Sequence, residues 1–133
     1  MKLRIDPAEA VPIWSQIEEG VRRLVASAHL APGAAVPSVR DMARELRVNP
    51  ATVSKAYQRL TDAGILEVRR GEGTFVASAP PSMGRGERSR LLQEAAGRHA
   101  AAALTLGATR EETLEGLRSA WAELVSTRKG AER

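Results

Sequence analysis

Two short apolar stripes at helical spacing, joined by a turn at Arg47, Val48 and Asn49, constrain this chain more than any other feature. In "PSVRDMARELRVNPATVSKAYQRL", Val39, Met42, Ala43 and Leu46 form the first stripe, and Val53, Ala56, Tyr57 and Leu60 form the second. Ser38, with Asp41 after it, has the spacing of a capping box, and Asn49 can cap a helix whose first position is Pro50. The second helix runs to about Ala63. Gly64 is well placed as its left-handed terminator and Ile65 as the accompanying hydrophobic contact.

The flanks extend the pattern. Ile13, Ile17, Val21, Leu24, Val25 and Ala28, with Glu18, Glu19, Arg22 and Arg23 opposite, predict an amphipathic helix from Pro12 to about His29. "APGAAVP" ends it, and Val36 before Pro37 favours a very short strand. Downstream, "ILEVRRGEGTFVAS" alternates as a β-hairpin whose tip, Gly71-Glu72-Gly73, lies beside Arg69 and Arg70. "SAPPSMGRGERS" reads as a linker. Two helices follow. The first runs from about Glu87 to Leu106, with Leu91, Leu92, Ala95, Ala96, Ala102, Ala103 and Leu106; the second is opened by a Thr109–Glu112 capping box and carries Leu114, Leu117, Trp121 and Leu124. The short connection at Gly107 and Ala108 predicts an antiparallel helical hairpin.

The expected fold is therefore mainly α with a small β-wing: a winged helix-turn-helix domain over residues 1–78, then a linker and an antiparallel two-helix dimerisation segment over 79–133. Composition agrees, since 43% hydrophobic residues with only 3% aromatics imply an aliphatic, Ala-rich core. The absence of Cys excludes disulfides, thiolate metal sites and cysteine nucleophiles. His29 and His99 are the only histidines, and neither sits among potential ligands, so no metal or cofactor is expected. No nucleophile, base and oxyanion donor assemble, and "RRGEGTF" lacks the GK[ST] ending of a phosphate loop, so the chain is not expected to be an enzyme. Its start lacks the apolar core of a signal peptide and no apolar run has membrane-spanning length, which predicts a cytoplasmic protein that makes no membrane contact.

A formal net charge of +4 gives a basic bias that does not by itself establish nucleic-acid binding. The helix-turn-helix and wing do more. In such a module the third helix enters the major groove of double-stranded DNA by its first turn, and the wing lies along the backbone or the minor groove. Here that turn is small: Ala51 lets the backbone approach and can touch a thymine methyl, while Asn49 and Thr52 can bond base edges or phosphate. A turn of Glu would repel DNA.

The segment "PSVRDMARELRVNPATVSKAYQRLTDAGILEVRRGEGTFV", extended back through "VPIWSQIEEGVRRLV", resembles the DNA-binding domain of the GntR family of bacterial transcription regulators. The short helical tail resembles the YtrA subfamily, in which two helices replace a large effector domain. The resemblance implies that Ser38 begins the helix before the turn, that Arg40 contacts DNA, that Asn49, Ala51, Thr52, Ser54 and Lys55 lie on the outward side of the recognition helix, and that Arg70, Gly71 and Gly73 belong to the wing. Ser54 stands where some relatives carry a base-reading arginine, and Glu72 where the wing tip can be basic. It also implies a repressor, acting on its own operon and on ABC transporter genes, with a small-molecule effector left unidentified.

Other roles compete for these residues. Arg40 can pair with Asp41 or Glu45, Asn49 is a helix cap first, and Tyr57 shares the core face of Val53 and Leu60. Arg69 and Arg70 fall on opposite faces of the hairpin, and Arg70 is the better DNA contact. The alternating spacing of Leu114, Leu117, Trp121 and Leu124 suits a seam between two subunits, against the alternative that the hairpin folds back on its own domain. A two-fold homodimer would place two recognition helices about 34–36 Å apart, or further, on an inverted-repeat operator. The competing function is a winged-helix module for protein assembly, without specific DNA binding.

Overall fold

The computed structural model describes residues 1–78 and 85–131. Its elements are α1 (Ile13–Ala26), α2 (Val39–Leu46), α3 (Pro50–Asp62), β1 (Leu66–Arg69), β2 (Gly73–Val76), α4 (Arg85–Thr105) and α5 (Arg110–Ala131). The chain divides into two compact units, Met1–Pro81 with Thr127–Arg133, and Ser82–Ser126. Residues 79–84, which follow the expected boundary at Ser78 and make up half of the expected linker, lie outside the described residues.

In the first unit, local signals set the helix ends. Ser38 Oγ accepts from the Asp41 amide at 3.0 Å, and Asn49 Oδ1 accepts from the Ala51 amide at 2.8 Å with Pro50 behind it in the first turn. At the end of α3, Gly64 takes φ 75°, Ile65 N–H donates to Leu60 O and Gly64 N–H to Thr61 O, which satisfies the last carbonyls. α2 ends in the same way, with Val48 N–H donating to Ala43 O, but its left-handed residue is Arg47 at φ 57°. That conformation costs a residue bearing Cβ about 1–2 kcal/mol.

α1 is shorter than its apolar pattern suggests. It stops at Ala26 because Ser27 Oγ bonds back to Arg23 O at 2.9 Å and Ala28 turns left-handed at φ 60°. Pro12 is its N-cap rather than a residue of its first turn. The stripes of the three helices meet in one core of Ile17, Val21, Met42, Ala43, Val53, Ala56, Tyr57 and Leu60, closed by Leu66 and Val76 from the hairpin. Leu60 is fully buried, so truncating it to Ala would cost about 2–5 kcal/mol.

β1 and β2 pair antiparallel, with Leu66 opposite Val76 and Arg69 opposite Gly73. The expected short strand near Val36 is a single bridge one residue earlier, Ala35 to Phe75, flanked by Val36 N–H to Thr74 O and Val76 N–H to Ala34 O. This fixes the free edge of the wing to the chain that leads into α2. One further element is signalled only by the alternation of Met1, Leu3 and Ile5 with Lys2, Arg4 and Asp6. The N-terminal segment lays Met1, Leu3 and Ile5 against the core, held by Gln16, whose side chain accepts from Asp6 N–H at 2.7 Å and donates to Asp6 O and Val11 O.

In the second unit, helix begins at Arg85, so Arg85 to Ser89 belong to α4 rather than to a linker. Glu87 in its first turn and the Arg90–Glu94 ion pair at 2.7 Å favour helix there despite Gly86. α4 ends at Thr105, where Gly107 turns left-handed at φ 77° and Ala108 N–H donates to Ala103 O. The capping box of α5 is complete: Glu112 N–H donates to Thr109 Oγ1 at 3.1 Å and Thr109 N–H to Glu112 Oε1 at 2.9 Å.

Candidate nucleic-acid interface

The beginning of α3 presents Asn49, Pro50, Ala51, Ser54 and Lys55 to solvent, with Thr52 half-buried between them. The apolar stripe on the opposite side explains this orientation, since burying Val53, Ala56, Tyr57 and Leu60 forces positions 51, 54, 55 and 58 outward. Asn49 spends its carbonyl oxygen on the Ala51 amide, as a cap, so its side-chain NH₂ is the group left for a ligand. Ser38 is likewise a cap through its hydroxyl.

Tyr57 belongs to the core. Its hydroxyl donates to Pro37 O at 2.8 Å, tying α3 to the residue before the α2 cap, and burial, followed by the charge of Glu45, raises its ionisation well above the ordinary phenol range. The hydroxyl is thus committed inside the fold rather than offered to a phosphate. Asp41 pairs with Arg44 at 3.6 Å, not with Arg40, and Arg40 is exposed with no ion pair among the described residues.

Lys55 faces outward yet is not unengaged. Its ammonium lies 4.4 Å from the centre of the Trp14 ring, and the guanidinium of Arg59, one turn on, lies 4.9 Å from it. Arg59 also donates from Nε to Glu18 Oε2 at 2.7 Å, and Arg22 reaches Glu18 Oε1 at 3.2 Å. Trp14 and Glu18 on α1 therefore fasten the outer side of the recognition helix. Sequence reading missed this pair of contacts; the matching four-residue steps, Trp14 to Glu18 and Lys55 to Arg59, were the available signal.

In the wing, the two arginines separate as alternation requires. Arg69 pairs with Glu67 at 2.9 Å and stacks over Phe75 at 4.1 Å, so its charge is used within the hairpin. Arg70 stands exposed beyond the strand, without an ion pair among the described residues. Gly71 and Gly73 take φ 79° and 120°, and Glu72 N–H closes the turn onto Arg69 O at 2.9 Å. A Cβ at Gly71 would meet nothing within 4 Å, so its requirement is conformational: the turn needs a positive φ.

On the second unit, the expected seam residues Leu114, Leu117, Trp121 and Leu124 are all exposed, Trp121 at 71%. Leu92, Leu104 and Leu106 of the other helix and its connection are exposed too, and Ala103 is the one buried hydrophobic residue among those described in α4 and α5. An open apolar groove of about 320 Å³ lies between the helices, lined by Ala100, Ala103, Leu104, Ala108, Thr113 and Leu114 with Arg110 at its side. Among the described residues no cluster of His, Asp and Glu could hold a metal ion, and no helix is long and apolar enough to cross a membrane.

Residues 14–76 match the model for bacterial regulatory proteins of the gntR family. The chain is 35% identical over 108 residues to the uncharacterized HTH-type transcriptional regulator YhcF of Bacillus subtilis, covering 81% of this chain and 88% of that one. It is 41% identical over 75 residues to the HTH-type transcriptional repressor YtrA of the same organism, covering 56% of this chain and 58% of that one, so it spans little more than half the length of that relative. Among solved structures, YtrA from Sulfolobus acidocaldarius, a GntR-family transcription factor, superposes with a TM-score of 0.56 at 28% identity, over 91% of this chain and 97% of that one. That superposition covers both the winged helix-turn-helix and the two C-terminal helices. The chain belongs to the GntR family of bacterial regulatory proteins and is YtrA-like, with a GntR-type DNA-binding domain at its N-terminal end.

Proposed function

We propose that this chain is a homodimeric, sequence-specific DNA-binding repressor that reads an inverted-repeat operator, and that it is not an enzyme. The observation that carries the reading is the first turn of α3: it is small, exposed and free of carboxylates, and it lies on the same unit as an exposed Arg40 and a wing with an exposed Arg70, neither of which has an ion pair among the described residues. Major-groove docking requires such a surface, because a bulky or acidic turn would hold the helix away from the bases or repel the phosphates. Arg40, Arg70 and the wing backbone supply positioning contacts. Asn49, Ala51, Thr52 and Ser54 face the base edges, and Lys55 reaches DNA from its seat on Trp14.

Dimerisation is assigned to α4 and α5. Leu114, Leu117, Trp121 and Leu124 repeat along α5 at helix-seam spacing and are exposed in the single chain, and the Ala-rich side of α4 permits close approach of a second copy. Repressor activity on its own operon and on ABC transporter genes extends the YtrA likeness, and any small-molecule effector would have to bind within the dimeric tail. Selection of duplexes from a random-sequence pool by the full-length protein, followed by footprinting, tests the whole reading. Enrichment of two half-sites in inverted order supports it; failure to enrich any sequence at low salt overturns it.

A further inference from the structure

Four helices of this protein end in a residue with positive φ: Ala28 after α1, Arg47 after α2, Gly64 after α3 and Gly107 after α4. The last three share one closing bond, from the residue after the left-handed one back to the helix: Val48 to Ala43, Ile65 to Leu60 and Ala108 to Ala103. At two of these three equivalent places the residue is Gly, which adopts the conformation without strain. Only the turn between α2 and α3 carries a long cationic side chain there. Ala28 shows that a left-handed residue need have no function of its own, so a role for Arg47 has to lie in its side chain.

Within the first unit it does nothing visible. Arg47 is exposed and makes no ion pair, ring contact or side-chain hydrogen bond among the described residues, whereas Arg22, Arg44, Arg59 and Arg69 each pair with a carboxylate. Its backbone is nonetheless held firmly. Its own N–H donates to Arg44 O, the next residue closes onto Ala43 O, and Val48 packs against the core. The side chain therefore leaves from a fixed point two residues before Asn49, at the end of α3 that carries Ala51 and Ser54. An arginine so placed matches a phosphate by charge and by its fork of donors.

We infer that Arg47 is a DNA-backbone contact of this protein, holding a phosphate beside the entry point of α3. The inference rests on the operator reading above. It extends the interface to a position where the fold would otherwise be better served by glycine.

Arg47→Gly separates the two roles because they have opposite signs. Full-length wild type, R47G and R47K are compared by fluorescence anisotropy on a duplex recovered by the wild type from a random pool, on an unrelated duplex, and by thermal denaturation. R47G is expected to keep or raise the melting temperature while losing roughly tenfold in affinity on both duplexes, with a shallower salt dependence. R47K keeps the charge and stays within about threefold of wild type. Unchanged affinity in R47G overturns the contact, as does a loss confined to the selected duplex with an unchanged salt slope, which would mark base reading. A wild type that enriches no duplex overturns the operator reading, and this inference with it.

Discussion

Arg59 on α3 donates to the nearly buried Glu18 on α1 at 2.7 Å, directly beside the Lys55–Trp14 stack, so the recognition helix is pinned from one side by one acidic and one aromatic residue. Glu18 accepts from two arginines, but both are partly exposed, which discounts the ion pairs for screening by solvent. Glu18→Gln keeps the shape and removes the charge. It is expected to cost about 1–2 kcal/mol in urea denaturation with an unchanged m-value. An unaltered midpoint would show that the pair contributes nothing to holding α1 on α3.

Tyr57 is the only tyrosine in the chain, which makes its titration readable. Burial raises its folded ionisation above the ordinary value of about 10, so the phenol proton is bound more tightly in the folded than in the unfolded state. Its contribution is fully present below about pH 10 and is lost as pH rises from there through the folded value. Absorbance should therefore show no tyrosinate until the protein unfolds. Tyr57→Phe should cost about 1 kcal/mol at neutral pH by removing the bond to Pro37 O, and should flatten the alkaline loss of stability.

The capping box of α5 gives a prediction at the acid end. Hydrogen bonds from the Thr109 amide, and then from its side chain, hold the Glu112 carboxyl below the ordinary glutamate range. A depressed folded pKa means that the cap stabilises above the unfolded value and is lost as pH falls through the folded one. Carboxyl chemical shifts should place Glu112 below other exposed glutamates, and Thr109→Ala should bring it part of the way back. A Glu112 that titrates with the rest would show that the box is open in solution.

For the interface, Arg40→Ala and Arg70→Ala should each weaken operator binding by roughly tenfold and lower the salt slope, as loss of a phosphate contact does. Ala51→Glu should be more damaging, because it adds both bulk and negative charge to the first turn of α3. All three positions are exposed, so thermal midpoints should stay near that of wild type. Full affinity in A51E would overturn docking by that turn.

For the tail, Leu117→Lys with Trp121→Lys should yield a monomer by sedimentation and reduce binding to a two-half-site duplex far more than to a single half-site. Both residues are at least half exposed in the single chain, so the substitutions need not disturb the helical hairpin itself. A double variant that still sediments as a dimer would remove α5 from the seam.

What the sequence by itself determined is local: helix caps at Ser38, Asn49 and Thr109, the glycines that stop α3 and α4, the hairpin register around Gly71 and Gly73, and the small outward face of α3. These signals operate over a few residues, where periodicity and backbone preference act directly, and they suffice to order the winged helix-turn-helix. Tertiary structure decided the rest. Only the packed fold shows that Tyr57 reaches Pro37, that Gln16 holds the chain at Asp6, that Arg59 reaches Glu18 and that Lys55 rests on Trp14. Such pairings join residues far apart in the chain. Their partners are selected by the shape of the shared core, which no window of sequence contains.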